Sequence, residues 1–148
     1  MAEKVEDAKI NEQLAIAISE EENEVKIARF VEVFEKAKEK GNPQEIIKVG
    51  EIFLKTINNA IEETVIEAKT YLKIAEEDLT KLRYGERKTP KKPKKMLDNI
   101  SDAVDRTMDS LRYLSYLIRL RREVETNVEE AKRDLQKNKE FSNSIREK

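Results

Sequence analysis

A helix ends where the chain supplies a residue that cannot continue it, and this chain supplies very few. Its 148 residues include three glycines and three prolines. Five of these six residues fall in two places, Gly41-Asn42-Pro43 and the segment from Gly85 to Pro93. At the first, Lys36, Lys38 and Lys40 suit the negative end of a helix dipole, and Gly41 can take the left-handed position that closes a helix. Asn42 can then cap the next helix, with Pro43 at its first position. This predicts a tight αα-hairpin. At the second, a glycine and two prolines forbid a continuous helix.

The fold class that follows is all-α. We expect an elongated antiparallel helical bundle of three long helices over about 3–40, 43–84 and 94–146, with a basic loop at 85–93, in a single domain spanning 1–148. A break near Ser19 would make four helices. Ser19-Glu20-Glu21-Glu22 has the form of a capping box, which would start a new helix at Glu20, and the polar run from Ser19 to Glu24 interrupts the apolar stripe.

Apolar spacing supports this division. In the second helix Ile47, Gly50, Leu54, Ile57, Ile61, Thr64, Ala68, Tyr71 and Ala75 fall on helical steps of three and four, and Leu82 follows a full heptad on. Val65, Leu72 and Leu79 widen the stripe on one side, and Ile46, Phe53, Ala60 and Ile74 on the other. A coiled-coil pair needs only the narrow seam, so the width predicts a helix buried between two neighbours. The first helix offers Ile10, Leu14, Ala17 and Ile18, then Ile27, Phe30, Val31 and Phe34. The third offers Leu97, Ile100, Val104, Met108, Leu111, Leu114 and Ile118, then Val124, Val128, Ala131 and Leu135.

Composition narrows the chemistry. There is no cysteine, histidine or tryptophan, which removes disulfides, Cys/His zinc sites and His-dependent nucleophilic catalysis. No glycine lies in a phosphate-binding fingerprint. Charged residues make up 41% of the chain, yet 38% is hydrophobic and the net charge is −1, which argues against disorder. Lys/Glu enrichment without cysteine is a pattern of proteins from hot environments, although nine asparagines count against it. No run of 18 apolar residues occurs. The acid-rich start of the chain has the wrong sign for a secretory or mitochondrial signal, so an intracellular, cytoplasmic protein is expected.

Three surfaces stand out. Arg83, Arg87, Lys88, Lys91, Lys92, Lys94 and Lys95 lie within thirteen residues that contain one acid, Glu86, for a local charge of +6. The rest of the chain carries −7, and residues 1–40 carry −4. Such a segment can follow phosphate backbones without reading bases, can enter an acidic groove of another protein, or can serve only as a solubilising loop. The loop itself holds no aromatic residue for stacking, and Tyr84 is the only one beside it. The second surface is the run Arg112 to Arg122. Here Leu111, Leu114 and Ile118 take the inner face, and Tyr113, Tyr116 and Leu120 form a second face bordered by Arg112, Arg119 and Arg122. Tyr with Arg is the composition of interface hot spots, although the same residues can simply pack on the N-terminal helix. The third is Ile52 and Ile66, opposite the main stripe of the second helix; isolated exposed apolar residues are normal, and the alternative is a self-association seam.

Glu62/Glu63, Glu76/Glu77/Asp78 and Glu129/Glu130 read as solvated helix carboxylates with nearby lysines. No catalytic residue, cofactor or metal is expected. The function expected is a non-enzymatic interaction module that docks a charged helical rod onto a large macromolecular assembly. A nucleic-acid-processing machine fits the charge pattern, with the chain as accessory subunit or as an inhibitor of viral or plasmid origin. Sequence-independent nucleic-acid binding through the basic loop, and a self-assembling structural subunit, are the alternatives.

Overall fold

The computed structural model describes the backbone of residues 2–84 and 93–147, and the side chains of residues 9–82 and 94–141. Four helices follow in order: α1 (Ala2–Ser19), α2 (Asn23–Lys40), α3 (Pro43–Tyr84) and α4 (Pro93–Glu147). No strand occurs among the described residues. The fold is an all-α helical bundle, and the first segment is split just after Ser19.

The split is made differently from the expected capping box. The Ser19 hydroxyl donates to the carbonyl of Ile16 at 2.9 Å, so it closes α1 instead of capping α2. Glu20 takes the bridging role. One carboxylate oxygen accepts the Glu22 backbone N–H at 3.4 Å, and the other accepts Arg29 Nε at 3.1 Å. The α2 cap residue, Glu22, makes no side-chain capping bond, and α2 starts at Asn23 rather than at Glu20.

The hairpin between α2 and α3 forms as its residues predict. Gly41 has φ +76°, and its N–H reaches the carbonyls of Ala37 and Lys38 at 3.2 and 3.1 Å. Asn42 Oδ1 accepts the Gln44 N–H at 3.0 Å. This satisfies one of the orphan donors of the new helix. Lys40 and Glu45 pair across the turn at 3.3 Å, both largely buried.

The chain forms two compact units, Met1–Asn58 with Leu120–Lys148, and Asn59–Arg119. The first combines α1, α2, the start of α3 and the end of α4. Its centre is Phe53, stacked on Phe30 with ring centroids 5.3 Å apart and tilted against Phe34 at 6.0 Å. Gly50 is buried where α3 meets α4, and a Cβ there would overlap Val128 and lie 3.3 Å from Phe34. The glycine is therefore what allows the two helices to approach. Polar pairs at the rim mark the antiparallel register of α3 and α4. Arg121 donates to Asn58 at 3.4 Å, and Lys132 lies 3.6 Å from Glu51.

The second unit consists of the remainder of α3 paired with the first part of α4, and its packing departs from expectation. Its buried residues are mostly small: Ala60, Thr64, Ala68 and Ala75 on α3, with Ile100, Ala103, Thr107, Ser110 and Leu117 on α4. The Thr64 and Thr107 hydroxyls return to the carbonyls of Ala60 and Ala103 at 2.7 and 2.8 Å. Their burial thus strands no donor. Several large residues expected in the core are instead exposed: Leu72, Ile74 and Leu79 on α3, and Leu97, Val104, Met108 and Leu111 on α4. A stripe wide enough for two neighbours meets only one here, and the small side of the stripe is the side that lets two helices pack closely. In the first unit Ile18 is likewise exposed, whereas Ile10, Leu14 and Ala17 are buried.

Candidate interaction surface

Helix α4 carries most of the candidate residues, and its long uninterrupted course is what arrays them. Tyr113 and Tyr116, three positions apart, stack with centroids 6.0 Å apart at 27°. Tyr116 is exposed and Tyr113 half-buried. Arg112 is well exposed and pairs with Asp109 at 3.4 Å. Arg119 is exposed, with Nε 3.5 Å from the Ser115 carbonyl. These four residues belong to the second unit. Leu120, half-buried, and Arg122, exposed, follow on the same helix but belong to the first unit. Of the expected Arg/Tyr face, Tyr113 and Tyr116 stack on each other, and Arg112 and Arg119 are exposed on the same helix.

A third arginine in the second unit is tied down. Arg106 Nη1 donates to the Tyr71 hydroxyl at 3.4 Å, with the guanidinium 5.5 Å from that ring's centroid. The hydrogen bond and the nearby Tyr71 and Asp102 hold the guanidinium above its ordinary pKa. The contact latches α3 to α4 through polar groups, where the apolar seam is thin. Sequence reading did not single out Arg106, because nothing in its local spacing distinguishes it from other helix-surface arginines.

Of the basic segment, Lys94 and Lys95 are exposed in the first turn of α4. The side chains of Arg83, Arg87, Lys88, Lys91 and Lys92 lie outside the described residues. Ile52 is half-buried in the first unit, and Ile66 is 64% exposed in the second. No three Asp or Glu residues converge to hold a metal ion among the described residues. None of the described helices is long and apolar enough to cross a membrane. In the first unit a groove of about 430 Å³ runs between α1 and α2, lined by Lys9, Ile10, Gln13, Lys36, Glu39 and Lys40. Its charged walls and apolar floor of one isoleucine give no set of converging groups for chemistry.

The surface that sequence reading missed is apolar. Apart from Ile66 and Tyr116, the exposed large residues of the second unit come from positions assigned to the core. The signal that identifies them is the adjacent run of small residues, Ala103, Thr107 and Ser110, at the same heptad spacing. No family model, curated protein or solved structure matches the chain.

Proposed function

We propose that the chain is a non-enzymatic interaction module that docks onto a large macromolecular assembly, as an accessory subunit or an inhibitor. The charge distribution favours an assembly that handles nucleic acid. The observation that supports this reading is the stacked pair of half-buried Tyr113 and exposed Tyr116 on α4, with Arg112 and Arg119 exposed on the same helix. Stacked rings on a helix are already ordered, so they lose little freedom on binding, and arginine supplies planar donors for a carboxylate or phosphate. Residues of these two types dominate binding energy where they are buried by a partner. The test is affinity capture at physiological salt with wild type and Tyr116→Ala in parallel. A defined assembly retained by wild type and lost by the variant is the expected result. Equal retention by both refutes the assignment of this face.

A second reading, direct nucleic-acid binding, is favoured by Lys94 and Lys95. They stand at the positive end of the α4 dipole, where no acidic residue occupies the first turn. A phosphate there would relieve an unfavourable arrangement. Affinity would then fall steeply with salt, and replacing Lys91, Lys92, Lys94 and Lys95 by alanine would flatten the slope. Unchanged affinity in that variant rejects the reading.

A further inference from the structure

We propose that the second unit pairs with the same unit of a second copy of this chain, α4 against α4, in antiparallel orientation. The starting point is a repeat on α4 lying one residue beyond the seam that faces α3. The seam residues Ala103, Thr107 and Ser110 are buried. Their successors Val104 and Met108, with Leu97 and Leu111 in the same series, are 39%, 47%, 52% and 49% exposed. With Ser101 and Ser115 filling two of its places, the series runs from Leu97 to Ile118 at alternating steps of four and three, the spacing of a coiled-coil seam. In an antiparallel pair, the position following a seam residue falls on the same side in both helices. Leu72 and Leu79 of α3, also about half exposed, therefore extend the same face. Six half-exposed large side chains present on the order of 500 Å² of apolar surface, at the upper range for a free monomer. With the half-buried Ile118 and Val65 and the flanking stems, the face approaches the roughly 800 Å² per partner of a stable interface.

Two features identify a second copy as the occupant. The first is that the series reads nearly the same in both directions about Met108. Antiparallel pairing sets Leu97 opposite Ile118, Ser101 opposite Ser115 and Val104 opposite Leu111, with the two Met108 side chains meeting on the dyad. Each layer thus joins side chains of similar size and polarity, as an isologous contact requires. The second is charge. The positions flanking this series away from α3 are Asp98, Asp105, Arg112 and Arg119, all exposed. The same antiparallel register places Asp98 of one copy against Arg119 of the other, and Asp105 against Arg112. Flanking charges of this kind set orientation in coiled coils. A parallel pairing would put them beside Ile100, Thr107 and Leu114, with no charge to meet. Within one chain Arg112 pairs with Asp109 at 3.4 Å, both about three-quarters exposed. An exposed pair of this kind is weak and readily exchanged.

This pairing goes beyond the proposed function but engages Arg112 and Arg119, which that function also uses, so Met108→Glu tests the pairing and Tyr116→Ala tests the function separately. The experiment is sedimentation velocity on the full chain over a wide concentration range, with helical content followed by circular dichroism. Wild type should rise with concentration to twice the 17.3 kDa chain mass. Met108→Glu places two carboxylates on the dyad and should weaken association about 100-fold. It should leave helicity unchanged, because Met108 is about half exposed in one chain. Orientation is read by cross-linking, since the chain has no cysteine of its own. Met108→Cys should form an interchain disulfide alone. Ser101→Cys and Ser115→Cys should link only when mixed, because the two 101 positions lie roughly 20 Å apart in an antiparallel dimer. A single-chain mass at every concentration overturns the proposal. So does a folded Met108→Glu variant that remains dimeric, or a Ser101→Cys variant that links to itself.

Discussion

The rings of Phe30 and Phe53 lie 5.3 Å apart at an angle of 7°, face to face between α2 and α3, and neither is exposed to solvent. Phe34 closes on the same ring of Phe53 from the side. One α3 residue therefore receives two side chains from successive turns of α2. The hairpin at Gly41 brings the two helices to the register in which this is possible.

Phe53→Ala removes the shared member of that cluster. The expected loss is about 3–5 kcal/mol in urea unfolding, the usual range for a buried phenylalanine. Phe53→Leu keeps most of the volume and should lose less than half as much. Equal losses in the two variants would show that ring stacking, not burial, carries the stability.

Gly50→Ala tests the close approach of α3 and α4. On an exposed helix this change gains about 1 kcal/mol. Here the added methyl group overlaps Val128, and overpacking costs typically 1–3 kcal/mol. A net loss on the order of 1 kcal/mol is expected. Combining it with Val128→Ala should recover part of that loss, giving a non-additive double-mutant cycle read by denaturant midpoints.

Gly41→Ala separates conformation from packing. A Cβ at Gly41 meets nothing within 4 Å, so any loss comes from the left-handed backbone, about 1–2 kcal/mol. Asn42→Ala deletes the cap of α3 and should lose about 1 kcal/mol. Thermal melts of both variants, at equal protein concentration, check the two values.

Glu20→Gln weakens the bridge across the α1–α2 break. Arg29 is nearly half exposed, so the loss should stay below about 1 kcal/mol and shrink further in high salt. A loss that survives high salt would assign the stability to the Glu22 N–H bond instead of the charge.

The hinge points were legible because they rest on residues with one dominant backbone preference. Gly41, Asn42 and Pro43 each fill the role their chemistry dictates, and nothing distant competes with them. The break after Ser19 was legible as a place but not as a mechanism. A Ser-x-x-Glu spacing does not say whether the hydroxyl turns back to Ile16 or forward to the next helix. The core was legible where three or four elements converge. Ile27, Phe30 and Phe34 are buried, although Val33 replaces the expected Val31. It was misread in the second unit, where ranking by side-chain size selects Leu97, Val104 and Leu111. Packing two helices at close range selects Ala103, Thr107 and Ser110 instead. Of the candidate site, stacking of Tyr113 on Tyr116 follows from their spacing. Its exposure depends on which neighbours reach that side of α4, and a single helix pattern does not contain that information.

The small-residue seam of the second unit has a thermodynamic consequence. Alanine, serine and threonine gain little from leaving water, so the pair α3–α4 there derives only modest cohesion from its own contact. Much of the surface of Leu72, Leu79, Leu97, Met108 and Leu111 lies outside that contact. If a second copy covers it, association adds to the stability of the unit by mass action. Its melting temperature then rises with the amount of protein in solution, and dilution lowers it.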